Sequence, residues 1–164
     1  MRKKFEAVKT ALKTSGKAET ALQRYFGGRP EVVLAYLFGS FVERQGAKFN
    51  DIDIAVLVDD ALMKAAEHLG RYGYAAFLTT EIAHVLKYPE IDISILNRAS
   101  PLLQKRVISQ GKLIYARSEK ERIAFETAAL SRYADTEPLR RIKRRYMGQR
   151  IERGLDAYAR PGID

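Results

Sequence analysis

The sequence predicts an α/β fold, a small mixed sheet with helices packed on it. Three segments carry that prediction: VVLAYLF from Val32, DIDIAVLV from Asp51 and EIDISIL from Glu90. Between the second and third, Leu62, Ala65, Ala66 and Leu69, then Phe77, Leu78, Ile82, Val85 and Leu86, keep helical spacing. A helical crossover between neighbouring strands has that pattern.

From the start of the chain, Phe5, Val8, Ala11 and Leu12 fall on one helical stripe, and Leu22 and Phe26 repeat the spacing later. Gly16 and the Gly27-Gly28 pair mark an interruption and a stop, so residues 1–28 read as helix, break, helix. VVLAYLF is rich in branched and aromatic residues and runs straight into Gly39-Ser40, as a buried strand ending in a tight turn into a helix does. EIDISIL alternates Ile91, Ile93 and Ile95 with Asp92 and Ser94, which sends the two sets to opposite faces. The helical stretch from Ala61 to Lys87 is interrupted around Gly70 to Gly73. After Pro101, LLQKRVISQ reads as a helix, Lys112 to Ala116 as a short strand, and Glu119 to Tyr133 and Pro138 to Tyr158 as two charged helices. The chain thus divides into an amino-terminal helical segment (1–28), a core (30–116) and carboxy-terminal helices (118–164). A length of 164 residues that is 46% hydrophobic suits one core, hence one domain.

With no cysteine in the sequence, disulfides, thiolate metal sites and cysteine nucleophiles are excluded, and any metal must be held by oxygen or imidazole. The amino terminus lacks the apolar run and cleavage site of a secretory signal, and no apolar run approaches the ~20 residues that span a bilayer. A soluble, cytoplasmic protein is expected. Lysine and arginine outnumber aspartate and glutamate by 29 to 20, for a formal charge of +9, which favours phosphorylated or polyanionic partners without naming one.

The chemistry is concentrated in Gly39-Ser40, ten intervening residues, Asp51-Ile52-Asp53, and a further strand carboxylate at Asp92. Residues two apart on a strand share a face, so Asp51 and Asp53 set two carboxylates side by side. Their mutual repulsion is relieved by a hard divalent cation such as magnesium. If the EIDISIL strand lies beside the DIDIAVLV strand, Asp92 reaches the same metals or takes a proton from an acceptor hydroxyl. Three carboxylates and two magnesium ions make a clamp for in-line phosphoryl transfer. Gly39 removes a side chain where backbone must come close to phosphate, and Ser40 supplies a hydroxyl at the start of a helix.

This constellation resembles the signature of the nucleotidyltransferase superfamily that includes DNA polymerase β and the aminoglycoside nucleotidyltransferases. The short chain is similar to the minimal nucleotidyltransferases of the MntA-type antitoxin group. The likeness runs from about Val32 to Tyr146, since Gly111 to Tyr115, Arg122 to Glu126, Tyr133, Asp135, Pro138 and Leu139 fall in the group's order. The resemblance implies a polymerase β-like fold with a short helical extension. It also implies triphosphate binding by Gly39 and Ser40, metal ligation by Asp51 and Asp53, and a site completed by Asp92. The implied reaction is transfer of AMP from ATP to a tyrosine of an RNase toxin with a HEPN domain, which silences the toxin. The chain departs from many relatives in placing Phe41, Val42, Glu43 and Arg44 directly after Gly-Ser, with glycine only at 46, and in having Asn50 before the aspartate pair.

Other readings remain open at this level. The chain could neutralise a partner by contact alone, or transfer a nucleotide to an antibiotic or an RNA 3′ end. Arg140, Arg141, Lys143, Arg144 and Arg145 read as a solvated helix face, and His68 and His84 lack the paired spacing of a zinc site. Tyr133 and Tyr146, near the basic tail, read as core or interface packing residues, with base stacking as the alternative.

Overall fold

The structure, a computed structural model, describes residues 16–43, 51–62 and 73–159. The apolar stripe from Phe5 to Leu12, His68 and the interruption at Gly70 therefore lie outside the described residues. Helix α1 (Lys17–Gly27) leads into β1 (Val32–Phe38), a short helix α2 (Ser40–Glu43) and β2 (Ile52–Val58). Helix α3 (Tyr74–Leu86) then precedes β3 (Ile91–Ile95), α4 (Pro101–Gln110), β4 (Lys112–Ala116), α5 (Glu119–Asp135) and α6 (Glu137–Ala159). The predicted strands are present at these places, as are the predicted helices that fall on described residues; Ala65, Ala66 and Leu69 of the expected crossover helix lie outside them.

The four strands form one sheet in the order β3-β2-β1-β4. β1 runs antiparallel to both β2 and β4, whereas β2 and β3 are parallel. The sheet is thus mixed, and the carboxy-terminal end of β1 lies at the same edge as the first residues of β2, β3 and β4. Parallel neighbours cannot be joined by a hairpin, and α3 precedes β3 as the helical part of the crossover.

Alternation along the strands builds a core on each face. One side gathers Ala35 and Leu37 of β1, Ile52, Ile54 and Val56 of β2, and Ile91 and Ile93 of β3 under Leu22 and Phe26 of α1 and Leu78 and Ile82 of α3. The other packs Leu34, Tyr36 and Ala55 against Leu96, Val107 of α4 and Phe125 of α5. Two register shifts, between Val32 and Leu34 and between Ala35 and Tyr36, interrupt the ladders of β1.

Local chemistry fixes the helix ends. Ser118 caps α5 by accepting from the Glu121 N–H at 3.3 Å, and its own hydroxyl donates to the Glu121 carboxylate at 2.6 Å. Arg117 donates to both oxygens of Glu121 from Nε, at 3.1 and 3.2 Å. The Arg117 guanidinium first and the Ser118 hydroxyl second hold the Glu121 carboxyl at about 2, below its ordinary 4.5. A carboxyl depressed by folding stabilises the folded state above its unfolded value, and that contribution is lost as pH falls through about 2. An NMR titration of Glu121 is expected to show a midpoint near 2, with Arg117→Ala moving it up toward 4.5. An unmoved midpoint in that variant would contradict this pairing.

Candidate active site

β1 delivers Gly39 at the sheet edge where β2 and β3 begin. Phe38 is the Cα partner of Asp53 on β2, and Asp53 is in turn the Cα partner of Asp92 on β3. The two carboxylates therefore stand on adjacent parallel strands, roughly 5 Å apart at the backbone. Their neighbours Ile52, Ile54, Ile91 and Ile93 are buried on the opposite side. Asp53 and Asp92 consequently share the face that carries Ala55 and the α4 and α5 contacts. Asp92 is exposed and Asp53 half-buried; Asp51, also exposed, lies one residue ahead of β2.

Gly39 has a positive φ of 68°, the left-handed turn that carries the chain from β1 into α2. A Cβ on Gly39 would meet Asp53 Oδ2 at 2.1 Å and Asp53 Cγ at 2.9 Å. Within the fold its immediate neighbour is the carboxylate of Asp53, which occupies the space a side chain would take.

Ser40 opens α2 and is half-buried. Phe41, which departs from the pattern of many relatives, is buried in the core beneath the sheet. It fastens the short helix, so the turn presenting Ser40 is tied to the core by the residue next in sequence. Nothing in the sequence distinguished this anchor from a change in the site itself.

Beneath the site, the Tyr36 hydroxyl donates to Glu126 of α5 at 2.9 Å. Burial first, then the hydrogen bond to Glu126, pushes its pKa well above the ordinary tyrosine value, so Tyr36 stays neutral. At the same edge but on the α1 side, Lys112 reaches Glu19 at 2.7 Å. Lys112 was not singled out from the sequence, since a lysine opening a strand carries no distinguishing signal.

A divalent cation fits the donor chemistry at this edge. Asp53 and Asp92 offer hard carboxylate oxygens from adjacent strands, and Gly39 leaves Asp53 unobstructed by a side chain. Among the described residues, no three acidic or imidazole side chains are drawn together closely enough to form a metal-binding group. Asp51 lies one residue ahead of β2, outside the β2–β3 register that sets Asp53 beside Asp92.

The remaining sequence candidates separate cleanly. His84 is exposed on α3. Arg141, Lys143, Arg144 and Arg145 are exposed as expected, but Arg140 is packed. Its guanidinium lies 3.6 Å from the centre of the Tyr133 ring and donates to Glu137 at 2.6 Å. Tyr133 is accordingly a packing residue, whereas Tyr146 is 74% exposed and takes no part in the core of the chain. Among the described residues, no helix is long and apolar enough to cross a membrane.

Comparison with known proteins decides the family. The profile described as Polymerase beta, Nucleotidyltransferase matches residues 20–120. The chain belongs to the polymerase β nucleotidyltransferase family. This nucleotidyltransferase is 30% identical over 104 residues to the protein adenylyltransferase MntA of Shewanella oneidensis, covering 63% of this chain and 68% of MntA. It is also similar to a chain of a toxin–antitoxin crystal structure with AMP-PNP, at 25% identity and a TM-score of 0.63, over 79% of this chain and 97% of that one. A third likeness is to a chain of the tri-AMPylated Shewanella oneidensis HEPN toxin in complex with MNT antitoxin, with 25% identity, a TM-score of 0.58, and coverage of 80% and 95%. The family match spans the described edge where Gly39, Asp53 and Asp92 meet.

Proposed function

We propose that this nucleotidyltransferase is an antitoxin that transfers AMP from ATP to a tyrosine hydroxyl of a HEPN-domain toxin in the cytoplasm. The observation that carries the reading is the pairing of Asp53 with Asp92 beside Gly39. The 30% identity to the adenylyltransferase MntA supports the nucleotide and the class of acceptor.

In the proposed site, Asp51, Asp53 and Asp92 would hold magnesium, and Gly39 and Ser40 would receive the triphosphate. Magnesium held there supplies Lewis-acid stabilisation of the charge that builds on the phosphate oxygens. The chain's own residues position the rest. The turn at Gly39 lets the backbone and the Ser40 hydroxyl face the phosphates, and Asp92, on the exposed side of β3, can accept the phenolic proton. The tyrosine oxygen bonds to the α-phosphorus as the bond from that phosphorus to the bridging oxygen breaks. AMP stays on the tyrosine, and pyrophosphate leaves with the electron pair.

The test is incubation with ATP labelled at the α-phosphate, magnesium and a co-expressed HEPN toxin. Label is expected on a toxin tyrosine, with loss of the toxin's RNase activity. Absence of label, while both proteins are folded, sinks the reading. Neutralisation without label would favour inhibition by contact alone.

A further inference from the structure

Helix α6 leaves a row of large apolar side chains in solvent. Leu139, Ile142 and Tyr146 recur at helical spacing, and Met147 and Ile151 widen the row; all five are between 54% and 74% exposed. An exposed apolar row that runs for about three helical turns marks a contact surface. Basic residues run alongside it: Arg141, Lys143, Arg144, Arg145 and Arg150 are all exposed.

The helix is held at its root. Arg140 stacks on Tyr133 and bonds the Tyr133 carbonyl, Thr136 and Glu137, which fixes the corner between α5 and α6. Helices α4 and α5 cover the sheet face that bears Asp53 and Asp92, so α6 departs from the catalytic side of the sheet. The family match ends at residue 120, which puts α6 outside the shared catalytic region.

We infer that α6 is a docking arm that lays its apolar row into a groove of the acceptor protein, with acidic residues along the groove's rims. The mode is that of an amphipathic helix anchored at i, i+3 and i+7. Charge selects the occupant. A second copy would bring an equally basic helix against this one in a chain of net charge +9, which is repulsive. RNA would satisfy the arginines and stack on Tyr146 but leave Leu139, Ile142 and Met147 without a partner, because neither phosphate contacts nor base stacking buries a row of aliphatic side chains. An acidic protein groove satisfies both sets.

This inference rests on the proposed toxin as acceptor, and its test separates the two. The double variant Ile142→Asp/Tyr146→Asp changes two exposed side chains, so its melting temperature should match that of the unsubstituted protein. Its affinity for the co-expressed HEPN toxin, measured by calorimetry, is expected to fall by about thirtyfold or more, as for loss of interface anchors. In the transfer assay, KM for the toxin should rise while kcat at saturating toxin and binding of ATP stay unchanged. Arg141→Glu/Arg145→Glu should weaken capture too, and remove much of its salt dependence. If no adenylyl transfer is found at all, the binding arm still reads the docking surface. Toxin binding unchanged in both variants overturns the inference. So does a self-association, or binding of a random RNA oligomer, that is lost in the double variant while toxin affinity is retained.

Discussion

Asp53→Asn is expected to lower nucleotidyl transfer by about three orders of magnitude, or ~4 kcal/mol at roughly 1.4 kcal/mol per tenfold, while leaving the protein folded. The substitution preserves the shape of the side chain and removes one charge from the pair formed with Asp92 across the β2–β3 ladder. Without divalent cations the variant should melt close to the unsubstituted protein, because asparagine keeps the volume of aspartate and one of its acceptor oxygens. Magnesium and ATP should then raise the melting temperature of the unsubstituted protein and leave that of the variant nearly unchanged. Steady-state transfer with labelled ATP and thermal melts with and without magnesium check both expectations. Activity within tenfold of normal would remove Asp53 from the chemistry.

Gly39→Ala is expected to reduce transfer by about a hundredfold, the scale of a misplacement near 1 Å in a reacting assembly. The added methyl would sit 2.1 Å from Asp53 Oδ2, far inside contact distance, so the carboxylate must swing away or the turn must open. The positive φ of 68° adds a backbone cost of about 1–2 kcal/mol for any residue with a Cβ. Modest destabilisation with a much larger loss of activity distinguishes a displaced carboxylate from general unfolding. Gly27→Ala serves as the comparison, because a Cβ at Gly27 meets nothing within 4 Å and lies in a helix where alanine is favoured. Equal losses in the two variants would show that the Gly39–Asp53 contact has no particular part in catalysis.

Much of this was legible in the sequence because the signals are local. VVLAYLF ends as β1 at Phe38, Gly39 turns the chain, and the alternation of Ile91, Asp92 and Ile93 sorts apolar from acidic onto opposite faces as the strand pattern requires. The pairing of Asp53 with Asp92 was not legible to the residue. Alternation fixes which face a side chain takes, whereas the register between strands distant in sequence is set by how both faces pack. The contact between Gly39 and Asp53 escaped for the same reason, since it joins the turn after β1 to a position on β2 whose register only the folded sheet supplies. Arg140 was grouped with its basic neighbours because charge spacing describes a helix face and not the helix corner against which that face closes. Only the fold brings Tyr133 under the guanidinium. Phe41 likewise looked like a change near the site until its burial identified it as the anchor of the turn.

Crystals of the protein soaked with manganese and AMP-PNP offer the most direct measurement, because manganese substitutes for magnesium on oxygen ligands and scatters anomalously. Anomalous peaks are expected within roughly 2.0–2.3 Å of the carboxylate oxygens of Asp51, Asp53 and Asp92, with the triphosphate at Gly39 and Ser40. Nucleotide bound with no manganese at those carboxylates, or manganese held elsewhere on the chain, would contradict a carboxylate-held catalytic site.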